Sequence, residues 1–178
     1  MSRTLRSHPE KIEPGSGQES VWDYPRPPRL ERSTRHVEVV FNGRLVADSR
    51  RAWRILEMGH PPVYYIPRDD IGVEFLLEGP RSTFCEWKGR ARYFDVEVDE
   101  RIADRAAWSY PNPVERFAPI RDAVAFYAGK MDLCRLDGEI VVPQPGEFYG
   151  GWITADVVGP FERPSDRPPD GSTDSDRS

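Results

Sequence analysis

The sequence predicts a mainly-β, antiparallel domain with one or two short helices and disordered tails. Three observations predict it. Short runs rich in Val, Ile, Tyr, Phe and Trp recur along the chain with apolar and polar residues alternating. The dipeptides Asn42-Gly43 and Asp137-Gly138 stand between such runs, and both residues of each tolerate the positive φ of a tight hairpin. Little of the chain reads as helix, so antiparallel sheets are the economical architecture.

The elements follow in order. Residues 36–41 and 44–47 form a hairpin about Asn42-Gly43. Residues 51–58 are the best helix candidate: Trp53, Leu56 and Ile55 supply an inward face, and Gly59 can end it before Pro61. Residues 63–66 and 73–77 read as strands, and 83–87 pairs with 91–98 about Lys88-Gly89. Residues 101–106 read as a further helical turn, 107–110 and 123–127 as strands. Residues 133–136 and 139–142 close a last hairpin at Asp137-Gly138. The polar residues 1–20 and 161–178 read as disordered tails around one domain of residues 21–160.

Composition narrows the function classes. Of 178 residues, 38% are hydrophobic and 11% aromatic, which supports a core carried largely by rings. Net charge is -5, so a strongly basic surface for nucleic acid is absent and no nucleic-acid partner is expected. No apolar run approaches the roughly 20 residues that cross a bilayer, and the first residues lack a secretory apolar stretch. A cytoplasmic location without membrane contact is the expectation. The only cysteines are Cys85 and Cys134, and no Cys-x-x-Cys occurs. A four-thiolate zinc site within the chain is therefore impossible; two free thiols and no metal or cofactor are expected. Lysines occur only at 11, 88 and 130, so Lys88 is a stronger signal than any single arginine.

Seven ordered segments carry a family resemblance: Val21-Trp22-Asp23-Tyr24-Pro25-Arg26-Pro27-Pro28, His60-Pro61-Pro62-Val63-Tyr64-Tyr65, Pro67-Arg68-Asp69-Asp70, Cys85-Glu86-Trp87-Lys88-Gly89, Ala107-Trp108-Ser109-Tyr110, Val124-Ala125-Phe126-Tyr127 and Tyr149-Gly150-Gly151-Trp152-Ile153. Together they resemble the domain of unknown function 427 family. The resemblance implies a β-tent-like fold of antiparallel sheets meeting at an angle, similar to methionine sulfoxide reductase B and the thalidomide-binding domain of cereblon. Those relatives hold a zinc with two Cys-x-x-Cys pairs; here side-chain packing must take its place. The family brings no established activity. Its nucleotidyltransferase-like label finds no support in these residues, which have no Gly-Ser pair followed by spaced aspartates and no phosphate loop.

Tyr65, Arg68, Lys88, Tyr93, Trp108, Tyr110 and Tyr127 are the candidate site. Residues i and i+2 of a strand share a face, so Trp108 and Tyr110 point together, as do Cys85 with Trp87 and Ala91 with Tyr93. Phe94, Val96 and Val98 make an opposite, oily face. A cleft lined by these rings, with Arg68 and Lys88 supplying charge, would hold a small flat or anionic ligand. The alternative is that the rings only fill the core. Cys85 is either a nucleophile, with His60 as a conceivable partner, or a small buried apolar residue. Asp69, Asp70 and Glu74 either serve as base or metal ligand or form an exposed turn in which Arg68 pairs internally with an aspartate. The expected function is small-molecule binding; the runners-up are an enzyme using Cys85 or the Asp69–Asp70 pair, and a scaffold that presents Pro25–Pro28 or a sheet edge to a partner.

Overall fold

The computed structural model describes residues 10–146 and 149–163. Its strands, in chain order, are β1 (Glu19–Ser20), β2 (Arg29–Arg32), β3 (Val37–Phe41), β4 (Arg44–Ser49), β5 (Trp53–Leu56), β6 (Val63–Tyr65), β7 (Leu76–Cys85) and β8 (Gly89–Val98). They continue as β9 (Arg101–Ser109), β10 (Val124–Phe126), β11 (Leu133–Leu136), β12 (Glu139–Ile140), β13 (Val142–Pro143), β14 (Trp152–Ile153) and β15 (Val157–Val158). The fold is mainly β with antiparallel sheets, as expected.

One sheet runs β2-β5-β6 and another β10-β9-β8-β7. Ile66 and Val124 exchange backbone hydrogen bonds of 2.8 and 2.9 Å, which joins the two edge to edge into one long antiparallel surface. The sheet β12-β11-β3-β4 packs over one face of it. Val37, Val39, Phe41 and Leu136 from that second sheet meet Tyr64, Phe94, Val96, Val124 and Phe126 from the long one. The next residues along the same strands turn the other way. Tyr65, Trp108 and Ala125 belong to a second core, with Phe117 and Ile120 of the 3-10 turn Glu115–Ile120 packed onto it. Two-residue periodicity thus gives the long sheet two buried faces. The outer one is covered by short irregular segments rather than by a sheet.

The hairpin expectations hold where turn chemistry is local. Asn42 and Gly43 have φ of 48° and 73°, and Asp137 and Gly138 of 50° and 83°, so both turns use the left-handed conformation the dipeptides tolerate. At the third hairpin Cys85 pairs with Gly89, so Glu86, Trp87 and Lys88 together form the loop.

Several assignments change. Residues 51–58 do not form a helix: β5 sits between β2 and β6, with Trp53 opposite Arg32 and Tyr65. Apolar residues at 53, 55 and 56 fit either period, and two available strand partners decide the matter. Residues 101–106 are likewise strand, the first half of β9 paired to β8. Val73–Phe75 is a 3-10 turn instead of the start of a strand. The other helical elements are also short 3-10 turns.

The tail boundaries shift too. Glu19 and Ser20, placed in the tail by their polarity, pair with Val157 and Val158. Glu19 also accepts the Tyr24 hydroxyl at 2.7 Å and binds Arg54. Beyond residue 160, Phe161 packs on Val21, Leu56 and Val157, and the Glu162 backbone N–H donates to the Gly59 carbonyl at 2.8 Å. Composition misses such segments because a few long-range contacts hold them. Of the predicted tails, residues 1–9 and 164–178 lie outside the described residues.

Ion pairs fasten these ends. Arg35 bonds Asp137 and Asp156, each at 2.8 Å, so the last hairpin turn is tied to the turn before β15. Hydrogen bonds from Arg54 to Glu19, from Arg51 to Asp70 and from the His36 backbone N–H to Asp137 hold those carboxyls below their ordinary range. A lowered folded pKa favours the folded state above the unfolded value, and the gain is lost as pH falls through the folded value. The urea midpoint should therefore hold steady down to about pH 5 and drop progressively toward about pH 3. A midpoint flat across that window would show that these pairs contribute nothing.

Candidate functional site

The structure brings most of the predicted ring set together. Tyr65 leads from β6, Tyr93 from β8, Trp108 from β9 and Ala125 from β10, all on the outer face, with Tyr110 and Tyr127 at the strand ends. Tyr65 lies 6.3 Å from Trp108 and 6.2 Å from Tyr110, centroid to centroid, and Trp108 lies 4.5 Å from Tyr127. The Trp108 indole donates to the Tyr65 hydroxyl at 3.3 Å, and the hydroxyls of Tyr93 and Thr83 share a bond of 2.8 Å. Lys88 caps the group with its ammonium 5.7 Å from the Tyr110 ring.

Tyr65, Trp108 and Tyr110 are buried, whereas Tyr93 and Tyr127 are half-buried. Burial raises the phenol pKa of Tyr65, Tyr110 and Tyr127, because a phenolate would be left unsolvated. These hydroxyls stay protonated at neutral pH, so the cluster offers ring faces and hydrogen bonds rather than a base. Most of it is core; Tyr127 is the member that lines open space.

Arg68 is not with the rings. It stands 5.4 Å above Phe94, which faces the inner core, and its Nε donates to the Asp122 carbonyl at 3.3 Å. It lines a shallow groove of about 310 Å³ with Glu78, Arg92, Ser109 and Asp122. Arg92 and Ser109 are cross-strand partners, each one residue out of phase with Tyr93 and Trp108. The groove and the ring cluster thus occupy opposite faces of the long sheet. The expected Arg68–aspartate pair is absent among the described residues; Asp70 instead accepts from Arg51 at 2.8 Å and from Ser49 at 2.6 Å. Asp69 and Asp70 lie in the 3-10 turn Arg68–Asp70.

The open space beside Tyr127 is a cavity of about 320 Å³. Tyr127, Gly129 and Lys130 form one wall, Gln144, Tyr149, Gly150 and Gly151 the other. The two glycines are required by contact. A Cβ on Gly150 would stand 2.1 Å from the Trp108 six-membered ring. One on Gly151 would stand 2.7 Å from both the Pro61 carbonyl and Gln144 Oε1. The Gly150 backbone therefore lies directly on the Trp108 ring, and no side chain intervenes. Lys130 reaches the Asp104 carbonyl at 2.7 Å, which fixes a positive charge at the rim.

Behind the cavity lies a buried polar group that sequence reasoning considered only as a partner for Cys85. His60 Nδ1 is 3.1 Å from Gln144 Nε2, and its Nε2 is 3.1 Å from Glu162 and 3.3 Å from Glu57. The Tyr149 ring meets it edge-on at 4.5 Å. Burial lowers the imidazole pKa, and Glu57 and Glu162 act in the opposite direction. Cys85 is a half-buried free thiol beside the rings, while Cys134 lies in the inner core with its thiol pKa raised by burial. Among the described residues no group of three or more His, Cys, Asp or Glu side chains is arranged to hold a metal ion. No helix there is long and apolar enough to cross a membrane.

The Gly150-Gly151 doublet was the sequence signal for this wall. What it touches could not be read, because its partners Trp108, Pro61 and Gln144 come from three distant segments.

No curated protein matches the chain. A family model described as a domain of unknown function (DUF427) matches residues 29–137. That span contains every residue of the predicted site, and the wall residues Gln144, Tyr149, Gly150 and Gly151 follow it. With more than half of its length under that match, the chain belongs to the DUF427 family.

Proposed function

We propose that this domain binds a small, flat molecule in the cavity between Tyr127 and the Gly150-Gly151 turn. One observation carries the proposal: the cavity is walled on one side by bare glycine backbone seated on Trp108 and on the other by a half-buried tyrosine. Ring faces together with exposed peptide groups suit a planar ligand with a few polar atoms at its edge. A volume of about 320 Å³ lies at the small end of ligand pockets, which run from about 300 Å³. Lys130 favours a carbonyl or anionic group at the rim. The runner-up, an enzyme using Cys85, has less support, because both ring nitrogens of His60 face Gln144 and the two glutamates.

A thermal-shift screen against flat metabolites tests the proposal. A ligand at a hundredfold excess over Kd stabilises by about 2.7 kcal/mol, which at this chain length corresponds to a rise of about 5–10 °C. Gly129 supplies the control. It is exposed, and a Cβ there would meet Pro143 at an ordinary 3.6 Å, so Gly129→Leu should fold yet fill the cavity. The shift should vanish in Gly129→Leu and persist in Arg68→Ala on the opposite face. Loss in Arg68→Ala with retention in Gly129→Leu would move the site to the arginine groove.

A further inference from the structure

We infer that Gln144 is a proton-read latch on the cavity wall, its amide turning over when His60 takes a proton; the inference rests on the cavity being the ligand site. Gln144 is 2% exposed, and its backbone N–H donates to the Gly151 carbonyl at 3.0 Å, so the residue is pinned against the glycine turn. Its Nε2 donates to the Glu162 carbonyl at 2.9 Å and faces His60 Nδ1 at 3.1 Å. Among the described residues its Oε1 is buried without a hydrogen-bond partner. A buried amide oxygen left unpaired loses its hydration without recompense, so this side chain sits in a frustrated arrangement.

The tautomer follows from that contact. An amide NH2 opposite Nδ1 requires Nδ1 to hold the lone pair, which places the imidazole hydrogen on Nε2, toward Glu162 and Glu57. When His60 is protonated, Nδ1 also becomes a donor. Two donors then face each other, and a half-turn of the amide resolves the conflict. Oε1 now accepts from His60 Nδ1–H. Nε2 moves to the place Oε1 left, beside Gly151, where the Pro61 carbonyl oxygen also lies. The unpartnered oxygen gains a donor, and the Glu162 carbonyl loses the one it had.

The charges around His60 permit the change. Glu57 and Glu162 lie within 3.3 Å of Nε2 and meet the new positive charge. Arg26, 3.6 Å from Glu57 and 3.9 Å from Glu162, and the more distant Lys88 oppose it, while Tyr149 offers a ring edge. Burial favours the neutral ring, so the latch turns in mild acid rather than at neutral pH. Its consequence falls on the wall of Gln144, Gly150 and Gly151 and on the backbone at Glu162.

The test needs no ligand. The full chain, labelled with nitrogen-15, is titrated by NMR from about pH 7.5 to about pH 5, a window that spans the ordinary imidazole value. The chain has three histidines, and His60→Gln identifies the His60 signals. The expected result is an Nε2–H tautomer at neutral pH, with the Gln144 side-chain amide and the Gly150 and Gly151 backbone signals shifting at the His60 midpoint. An Nδ1–H tautomer, a Gln144 amide that stays still while His60 titrates, or unfolding before His60 is protonated would each overturn the latch. The two proposals fail separately. A screen without hits removes the ligand site while the titration still reports the latch. A ligand bound equally well on both sides of the His60 midpoint removes the regulation and leaves the site.

Discussion

Gly150→Ala is expected to destabilise the domain by about 3 kcal/mol, although it adds only one methyl group. The position carries no left-handed strain, so the whole effect must come from contact. The new Cβ would stand 2.1 Å from Trp108 Cη2 and within 3.1 Å of two further ring atoms. The indole has little room to retreat, because Tyr127 and Tyr65 pack against it and its Nε1 is hydrogen-bonded to Tyr65. Urea denaturation measures the loss, and Gly43→Ala is the comparison. At Gly43 a Cβ meets nothing within 4 Å and φ is 73°, so only backbone strain applies, about 1–2 kcal/mol. A double change, Gly150→Ala with Trp108→Leu, should cost less than the sum of the two single changes, because the smaller side chain vacates the contested space. Wild-type stability for Gly150→Ala would mean that the glycine turn does not rest on the ring cluster, and the proposed cavity would lose its wall.

Arg54→Met should cost about 2–4 kcal/mol and loosen the N-terminal strand. Arg54 is the hub that ties β1, β2 and β5 together. Its guanidinium bonds Glu31 at 2.8 Å and both carboxylate oxygens of Glu19, at 3.0 and 3.1 Å, with only 14% of its side chain exposed. Methionine keeps much of the packing volume but leaves two carboxylates near one another and the Tyr24 hydroxyl still bonded to one of them. Both acids are about two-fifths exposed, so water recovers part of the loss and the cost stays below that of a fully buried pair. Hydrogen exchange at Ser20 and Val158 should speed up more than exchange in β8 or β9, because β1 pairs through two residues and one of them, Glu19, is a partner of this guanidinium. Uniform acceleration across all strands would show that Arg54 supports the whole fold rather than its N-terminal edge.

These effects mark where sequence reasoning reached and where it stopped. The Asn42-Gly43 and Asp137-Gly138 hairpins were legible because a positive φ is a local demand that few residues meet. The oily face of Phe94, Val96 and Val98 and the shared direction of Trp108 and Tyr110 were legible because strand periodicity is local too. The segment around Trp53 was misread, since its apolar spacing fits two periods and only its neighbours choose between them.

The candidate site divides along the same line. Alternation within β8 and β9 gave Trp108 and Tyr110 a shared direction from sequence alone, and the expectation that Tyr65, Tyr93 and Tyr127 join them rested on their aromatic character. Arg68 lies beyond the end of β6, where alternation no longer tells which face a side chain takes. Its place above Phe94 depends on how the edge of β6 meets β10. The cavity depends on more still: the chain returns after β13 to lay Gly150 on Trp108 and Gly151 against Pro61 and Gln144, and Glu162 arrives to join Gln144 and His60. Local rules set turns, faces and the ring set, because those depend on neighbours in the chain. Which rings border open space, and which face holds Arg68, was decided only by long-range packing, where segments far apart in sequence compete for the same volume.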